Sequence, residues 1–243
     1  MTKLYWHHVH VTVSDRVAAA SWHDQHTPAK RVRPTKRSEN LIDGPNLLQF
    51  QSKAVVTNPR KGCKISIGIA VSNLNKAVDN WQATGGSINT HKNHIARVLD
   101  PWGIPFELVE YSQIGYSHIN FATESPELMR DWYELNLGGR RVICEWDDSR
   151  LALAYDTILI VFEPRLLAPS SNEMIIDHLG WYIDDLDSKF NQLSSKGVSF
   201  PVKPMVFGII RLAHAMDPCG TWIELNESKE GIEWKKSFQK NIN

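Results

Sequence analysis

The sequence predicts an α+β fold built from four tandem β-α-β-β-β units. Three observations carry that expectation. The stretch Ser66-Ile-Gly-Ile-Ala-Val-Ser-Asn-Leu-Asn75 is echoed by His178-Leu-Gly-Trp-Tyr-Ile-Asp-Asp-Leu-Asp187, each an alternating strand that ends in a polar cap and enters a helix. The turn Asp100-Pro-Trp-Gly103 is echoed by Asp217-Pro-Cys-Gly220. A His-led strand, His8-Val-His-Val-Thr-Val13 or His118-Ile-Asn-Phe-Ala-Thr123, opens each half and is followed by a Trp, Trp22 or Trp132, at the same distance.

The first unit, near 4–51, starts with the strand holding His8 and His10 and continues through the helix with Trp22 to strand-like runs such as Asn46 to Gln51. In the second, near 64–110, Leu74, Val78 and Trp81 form one apolar helix face and Gly85 ends it. The Asp100 turn has Pro at its second position and Gly at its fourth, and it feeds a strand from Ile104 to Val109. The third unit, near 114–163, has Ser125 as N-cap, Pro126 at the first helical position and Gly138 as the stop, with a strand-like run from Leu151 to Phe162. The fourth, near 176–226, repeats the second at a constant offset: Leu186, Phe190, Leu193 and Gly197 take the helix positions, and a strand from Thr221 to Asn226 follows the second turn. The units group into modules 1–111 and 112–228, leaving 229–243 as a polar tail expected to trail over the surface.

Composition narrows the function classes. The 243 residues carry 27 Lys and Arg against 27 Asp and Glu, so no net charge favours nucleic acid or an anionic membrane. The basic run Lys30 to Arg37 is followed by Glu39 and Asp43 in a chain of zero net charge, which fits a solvated strand and loop. No apolar stretch approaches the roughly 20 residues of a membrane span, and Met1 to Asp15 lacks a signal-peptide core. The three cysteines are far apart, without a CxxC pair, which argues against a disulfide framework or zinc-thiolate site and makes the cytoplasm the default. The expected partner is a small-molecule substrate, with a homo-oligomer compatible.

Strand parity locates the chemistry. Side chains alternate faces along a strand. His118 and Asn120 therefore oppose Ile119 and Phe121; His178 and Tyr182 oppose Leu179, Trp181 and Ile183; Glu224 and Asn226 oppose Ile223 and Leu225. His118, His178 and Glu224 all lie opposite an aliphatic stripe and are expected to converge on one concave face. Two imidazoles and a carboxylate with open coordination positions suit Fe(II) first, and also Mn, Ni or Zn.

The His-led strands, the His178-Leu-Gly-Trp run with Asp184-Asp-Leu-Asp187 and the Asp-Pro-Xaa-Gly turns before Glu-Leu resemble the vicinal oxygen chelate superfamily: glyoxalase I, antibiotic-resistance proteins, epimerases and extradiol ring-cleaving dioxygenases. The resemblance spans nearly the whole chain and implies two glyoxalase-like modules with curved mixed sheets around a cleft. It implies ligands on the first, fifth and eighth strands of a module, here His118, His178 and Glu224. The corresponding first-module positions are His8, Ser66 and Glu107; Ser66 is a poor ligand, so that module is expected to be metal-free, with His10 on the same face as His8.

A two-module chain with its ligands in the second module resembles the extradiol dioxygenases most, and the expected activity is cleavage of a catechol-like or adjacent-oxygen substrate. His214 stands near the acid-base Tyr of those enzymes, and Asn120 and Tyr182 are candidates to orient substrate. Glu163 is a candidate fourth ligand of the glyoxalase type, which would favour a lyase or isomerase working through an enediolate. Arg211 could pair with an anionic substrate. A resistance-type binding protein without turnover is the third reading.

Overall fold

A computed structural model describes residues 4–52, 63–165 and 175–239. In chain order the elements are β1 (Leu4–Val13), α1 (Arg16–His26), β2 (Lys30–Val32), β3 (Ser38–Asp43), β4 (Asn46–Ser52), β5 (Cys63–Val71), α2 (Leu74–Ala83), β6 (Ser87–Lys92), β7 (Ile95–Leu99) and β8 (Pro105–Glu110). The second half supplies β9 (Gly115–Thr123), α3 (Pro126–Leu137), β10 (Arg140–Ile143), β11 (Leu151–Ala154), β12 (Leu159–Pro164), β13 (Ile176–Ile183), α4 (Leu186–Ser195), β14 (Val202–Phe207), β15 (Ile210–Met216), β16 (Trp222–Glu227) and α5 (Lys229–Gln239). The four predicted β-α-β-β-β units are all present.

Local chemistry accounts for the helix ends. Asp15, Asn73 and Asp185 are N-caps whose carbonyl or carboxylate oxygens accept first-turn backbone N–H groups. Ser125 makes no such side-chain bond; Pro126, with no N–H to satisfy, starts α3 instead. Gly138 closes α3 in the left-handed conformation at φ 77°. In both Asp-Pro turns the aspartate caps the turn itself: Asp100 Oδ1 accepts from the backbone N–H groups of Trp102 and Ile104, and Asp217 Oδ1 from those of Cys219 and Thr221.

The strands assemble into two curved eight-stranded mixed sheets. Sheet A runs β14-β15-β16-β13-β1-β4-β3-β2, and sheet B runs β10-β11-β12-β9-β5-β8-β7-β6. Neither sheet coincides with a half of the chain. Sheet A joins the first and fourth units through the antiparallel pair β1–β13, and sheet B joins the second and third through β5–β9. Linker length explains part of this: only residues 111–114 separate β8 from β9, which keeps units two and three on the same sheet.

The aliphatic stripes of both sheets and of α1 to α4 merge into one core. The T-shaped Trp6–Trp181 pair sits in sheet A, and Tyr133 of α3 packs against Trp181. Trp22 of α1 meets Trp81 of α2 and donates to the Thr84 carbonyl. Each sheet turns its opposite, polar face away from this core. The residues from Lys229, expected to trail over the surface, instead form α5, which packs on β13; a Cβ on Gly231 would lie 2.5 Å from the Tyr182 ring. Residues 240–243 of that tail lie outside the described residues. Among the described residues no helix is long and apolar enough to cross a membrane.

Candidate metal centre

The ligand residues expected from sequence divide between the two sheets. His178 and Glu224 stand side by side on the polar face of sheet A, on the paired parallel strands β13 and β16. His118 does not join them. It lies on β9 in sheet B, where its Nε2 meets Glu107 Oε1 at 3.0 Å. The pairing of β1 with β13 gives its place to His8, whose Nε2 is 3.0 Å from His178 Nε2 and 3.9 Å from Glu224 Oε1. His178 Nε2 is 3.5 Å from Glu224 Oε2.

His8, His178 and Glu224 are all buried and offer atoms that lie within 4.8 Å of one another. An ion bound at roughly 2.0–2.2 Å by nitrogen and oxygen ligands holds neighbouring donors about 3–3.5 Å apart, so this set fits a divalent cation. Electrostatics point the same way. Burial, reinforced by the neighbouring histidines, holds His8 well below the ordinary imidazole value, and burial pushes His178 down to about 3 against the pull of Asp177, which disfavours the charged form of both rings. Burial and the nearby Asp177 charge push the Glu224 carboxyl up to about 7, despite a hydrogen bond from Asn226. A buried carboxylate that resists ionising beside two neutral imidazoles is an arrangement a cation would relieve.

Backbone detail makes room for His8. It faces Gly180 across the β1–β13 pair, and a Cβ there would lie 2.2 Å from the His8 ring. Around this triad, His214 Nε2 reaches Glu224 Oε2 at 3.5 Å from the adjacent strand β15. His10 and Asp177 flank His178 on its Nδ1 side, at 3.3 and 2.8 Å. Tyr182 shares this face, stacks on His7 at 3.9 Å and lies beneath α5. Burial and Glu224 push its phenol up to about 12.

Sheet B places its residues at corresponding positions and fills the centre with protein cations. Arg150 donates to Glu107 at 2.6 Å and pairs with Glu163 at 3.2 Å; Arg97 reaches the same two carboxylates at 3.3 and 2.6 Å. Asn120 donates to Glu163 Oε1 at 2.9 Å. Burial would raise the Glu107 carboxyl, but His118 and Arg150 outweigh it and hold it down at about 2. Two sequence expectations are therefore corrected: neither Glu163 nor Asn120 lies beside His178 and Glu224, because β12 and β9 belong to the other sheet. Arg211 is engaged by Asp187 and Glu227 rather than turned toward the centre.

Sequence reasoning missed His8 as a candidate ligand of this group because it closed each site within one half. The parity of His8-Val-His-Val had marked the correct face of β1; only the partner strand was wrong.

No protein-family model and no curated protein matches the sequence. Solved structures match its fold along the whole chain. Glyoxalase I from Zea mays superposes with a TM-score of 0.76 at 17% identity, covering 98% of this chain and 96% of that one. A Bacillus subtilis subsp. subtilis str. 168 protein, named as a candidate dioxygenase, superposes with a TM-score of 0.68 at 14% identity, covering 98% and 91%. The chain has the vicinal oxygen chelate fold. At such identities the likeness is one of architecture. In this chain, the centre spanning β1, β13 and β16 is read from its own side chains.

Proposed function

We propose that this protein is a metal-dependent enzyme of the vicinal oxygen chelate type, and that it cleaves a catechol-like, adjacent-oxygen substrate with dioxygen. The observation carrying this reading is the facial His8, His178 and Glu224 set on sheet A. At the β4 position that matches Glu163 the chain has Gln51 rather than a carboxylate, and Glu163 itself is committed to arginines in sheet B.

When bound, Fe(II) supplies chelation of two neighbouring oxygens, Lewis acidity and one-electron chemistry with dioxygen. The chain's own residues do the rest. His8, His178 and Glu224 would hold the cation. His214, beside Glu224 on β15, is placed to accept a substrate hydroxyl proton at Nε2. Leu212, paired with Asn226 two positions along β15, gives that side of the cleft an apolar wall.

Anaerobic loading with Fe(II), followed by oxygen-uptake measurements with catechols, tests this reading. Oxygen consumption in proportion to substrate lost is the expected result. Metal-dependent turnover of an adjacent-oxygen substrate without oxygen uptake would instead establish the lyase or isomerase reading. Metal-free protein that binds such ligands without turnover would establish a binding protein.

A further inference from the structure

Three strand histidines, His8, His118 and His178, each have the residue immediately before them as a partner at Nδ1. His7 Nδ1 lies 2.8 Å from His8 Nδ1; Asp177 Oδ2 lies 2.8 Å from His178 Nδ1; Ser117 Oγ lies 2.9 Å from His118 Nδ1. Regular strand geometry forbids this contact, because consecutive side chains point to opposite faces. The registers show how it arises. Trp6 pairs with Trp181 and His8 with Gly180, so His7 is an extra residue in β1. His10 pairs with His178 and Val11 with Ile176, so Asp177 is extra in β13. Gly68 pairs with His118 and Ile69 with Tyr116, so Ser117 is extra in β9. Each of the three is a β-bulge, which turns the extra side chain toward the face of the histidine that follows.

The fourth equivalent strand supplies the control. In β5 the corresponding residue is Ser66, not histidine, and the pairing Lys64–Ala122, Ile65–Phe121, Ser66–Asn120 runs through without a shift. A bulge accompanies the histidine and is missing where the histidine is missing.

We propose that His7 and Asp177 are positioning residues of the sheet A centre: carried on bulges, they hold His8 and His178 by Nδ1 and so aim both Nε2 atoms at the cation. This inference rests on the reading of His8, His178 and Glu224 as metal ligands. An imidazole that donates from Nδ1 carries its lone pair on Nε2, the form a metal requires, and a carboxylate partner makes that nitrogen a stronger donor. Asp177 is the stronger of the two anchors. Its Oδ2 also lies 3.5 Å from His10 Nδ1, so one carboxylate is placed to fix two rings. In sheet B the same device serves an ion pair, since His118 directs its Nε2 to Glu107.

Titration of the full chain with Co(II), against a competing chelator and with visible absorption recorded, tests the proposal. Asp177→Ala should weaken Co(II) binding roughly 10–100-fold and change the ligand-field spectrum. Asp177→Asn, which keeps the volume and an acceptor oxygen but no charge, should fall between it and wild type, and serves if the alanine variant does not fold. His7→Phe keeps an aromatic ring for the Tyr182 stack, removes the Nδ1 acceptor and should weaken binding less than Asp177→Ala. Ser117→Ala, which removes the corresponding bond in sheet B, should leave affinity and spectrum at wild-type values. Wild-type affinity and spectrum in folded Asp177→Asn and His7→Phe overturn the proposal. A wild-type protein that takes up no Co(II) is a different result: it overturns the metal-centre reading, and the proposal with it.

Discussion

The polar faces of the two sheets are built from matching positions and have opposite chemistry. His8 faces Gly180 in sheet A as His118 faces Gly68 in sheet B, and Glu224 matches Glu107 on the neighbouring parallel strand. The surrounding positions differ. Where sheet A has His178, sheet B has Ser66; where sheet A has His214 opposite its glutamate, sheet B has Arg97. By continuation of the register, Ser38 stands where sheet B has Arg150. Sheet B thus carries its own cations, two guanidinium groups shared between Glu107 and Glu163, and its charges balance within the protein. Sheet A has the carboxylate and the imidazoles but, among the described residues, no guanidinium paired with Glu224. The same scaffold makes a closed ion-pair cluster in sheet B and, in the proposed reading, a cation seat in sheet A.

The largest effects should come from the histidines. His178→Ala is expected to abolish stoichiometric metal binding, whereas His118→Ala should leave it intact. Elemental analysis after dialysis checks both, and metal lost from the His118 variant alone would reverse the assignment of the two faces. Arg150→Ala should destabilise the protein by roughly 3–5 kcal/mol in urea unfolding, because it leaves two buried carboxylates short of a partner. His214→Ala should cost far less stability. A small loss for Arg150→Ala would mean that sheet B does not depend on its built-in cation.

The two glutamates should give opposite pH signatures in metal-free protein. Glu107 is held at about 2, below its ordinary 4.5, so its contribution is present above pH 4.5 and disappears as pH falls toward 2. Glu224 is raised to about 7, so its contribution is complete below pH 4.5 and is lost as pH rises through 7. Glu107→Gln should flatten the acid limb of the stability profile and Glu224→Gln the neutral limb, by a few kcal/mol at most. An unchanged neutral limb in Glu224→Gln would show that this carboxyl is ionised without a metal.

The glycines give the smallest and most symmetrical comparison. A Cβ at Gly180 or Gly68 would lie 2.2 or 2.0 Å from the facing imidazole. Each Gly→Ala should cost roughly 1–3 kcal/mol as the ring is displaced. Only Gly180→Ala should also weaken metal binding, by displacing His8. Equal metal affinity in the two variants would detach His8 from the centre.

Much of this was legible along the chain. The repeat of 66–75 at 178–187, the paired Asp-Pro turns and the Ser125-Pro126 start with its Gly138 stop located the units, because these signals act over a few residues. Parity placed His118, His178 and Glu224 opposite the aliphatic stripes and His10 on the face of His8. The bulges at His7, Ser117 and Asp177 left no such trace: an extra residue is defined only against the partner strand, and the sequence of one strand does not name its partner. The apolar side of α5, with Ile232 buried, was hidden in a stretch of predominantly polar composition.

By itself the sequence determined the repeating unit, the fold class and which side chains face away from the core, since periodicity and capping are local properties of the backbone. Which strand lies beside which was decided only in three dimensions. Units joined by short or long linkers satisfy the same alternation whether they pair within a half or across it, and that choice set His8 beside His178 and Glu224 and left His118 to an ion pair.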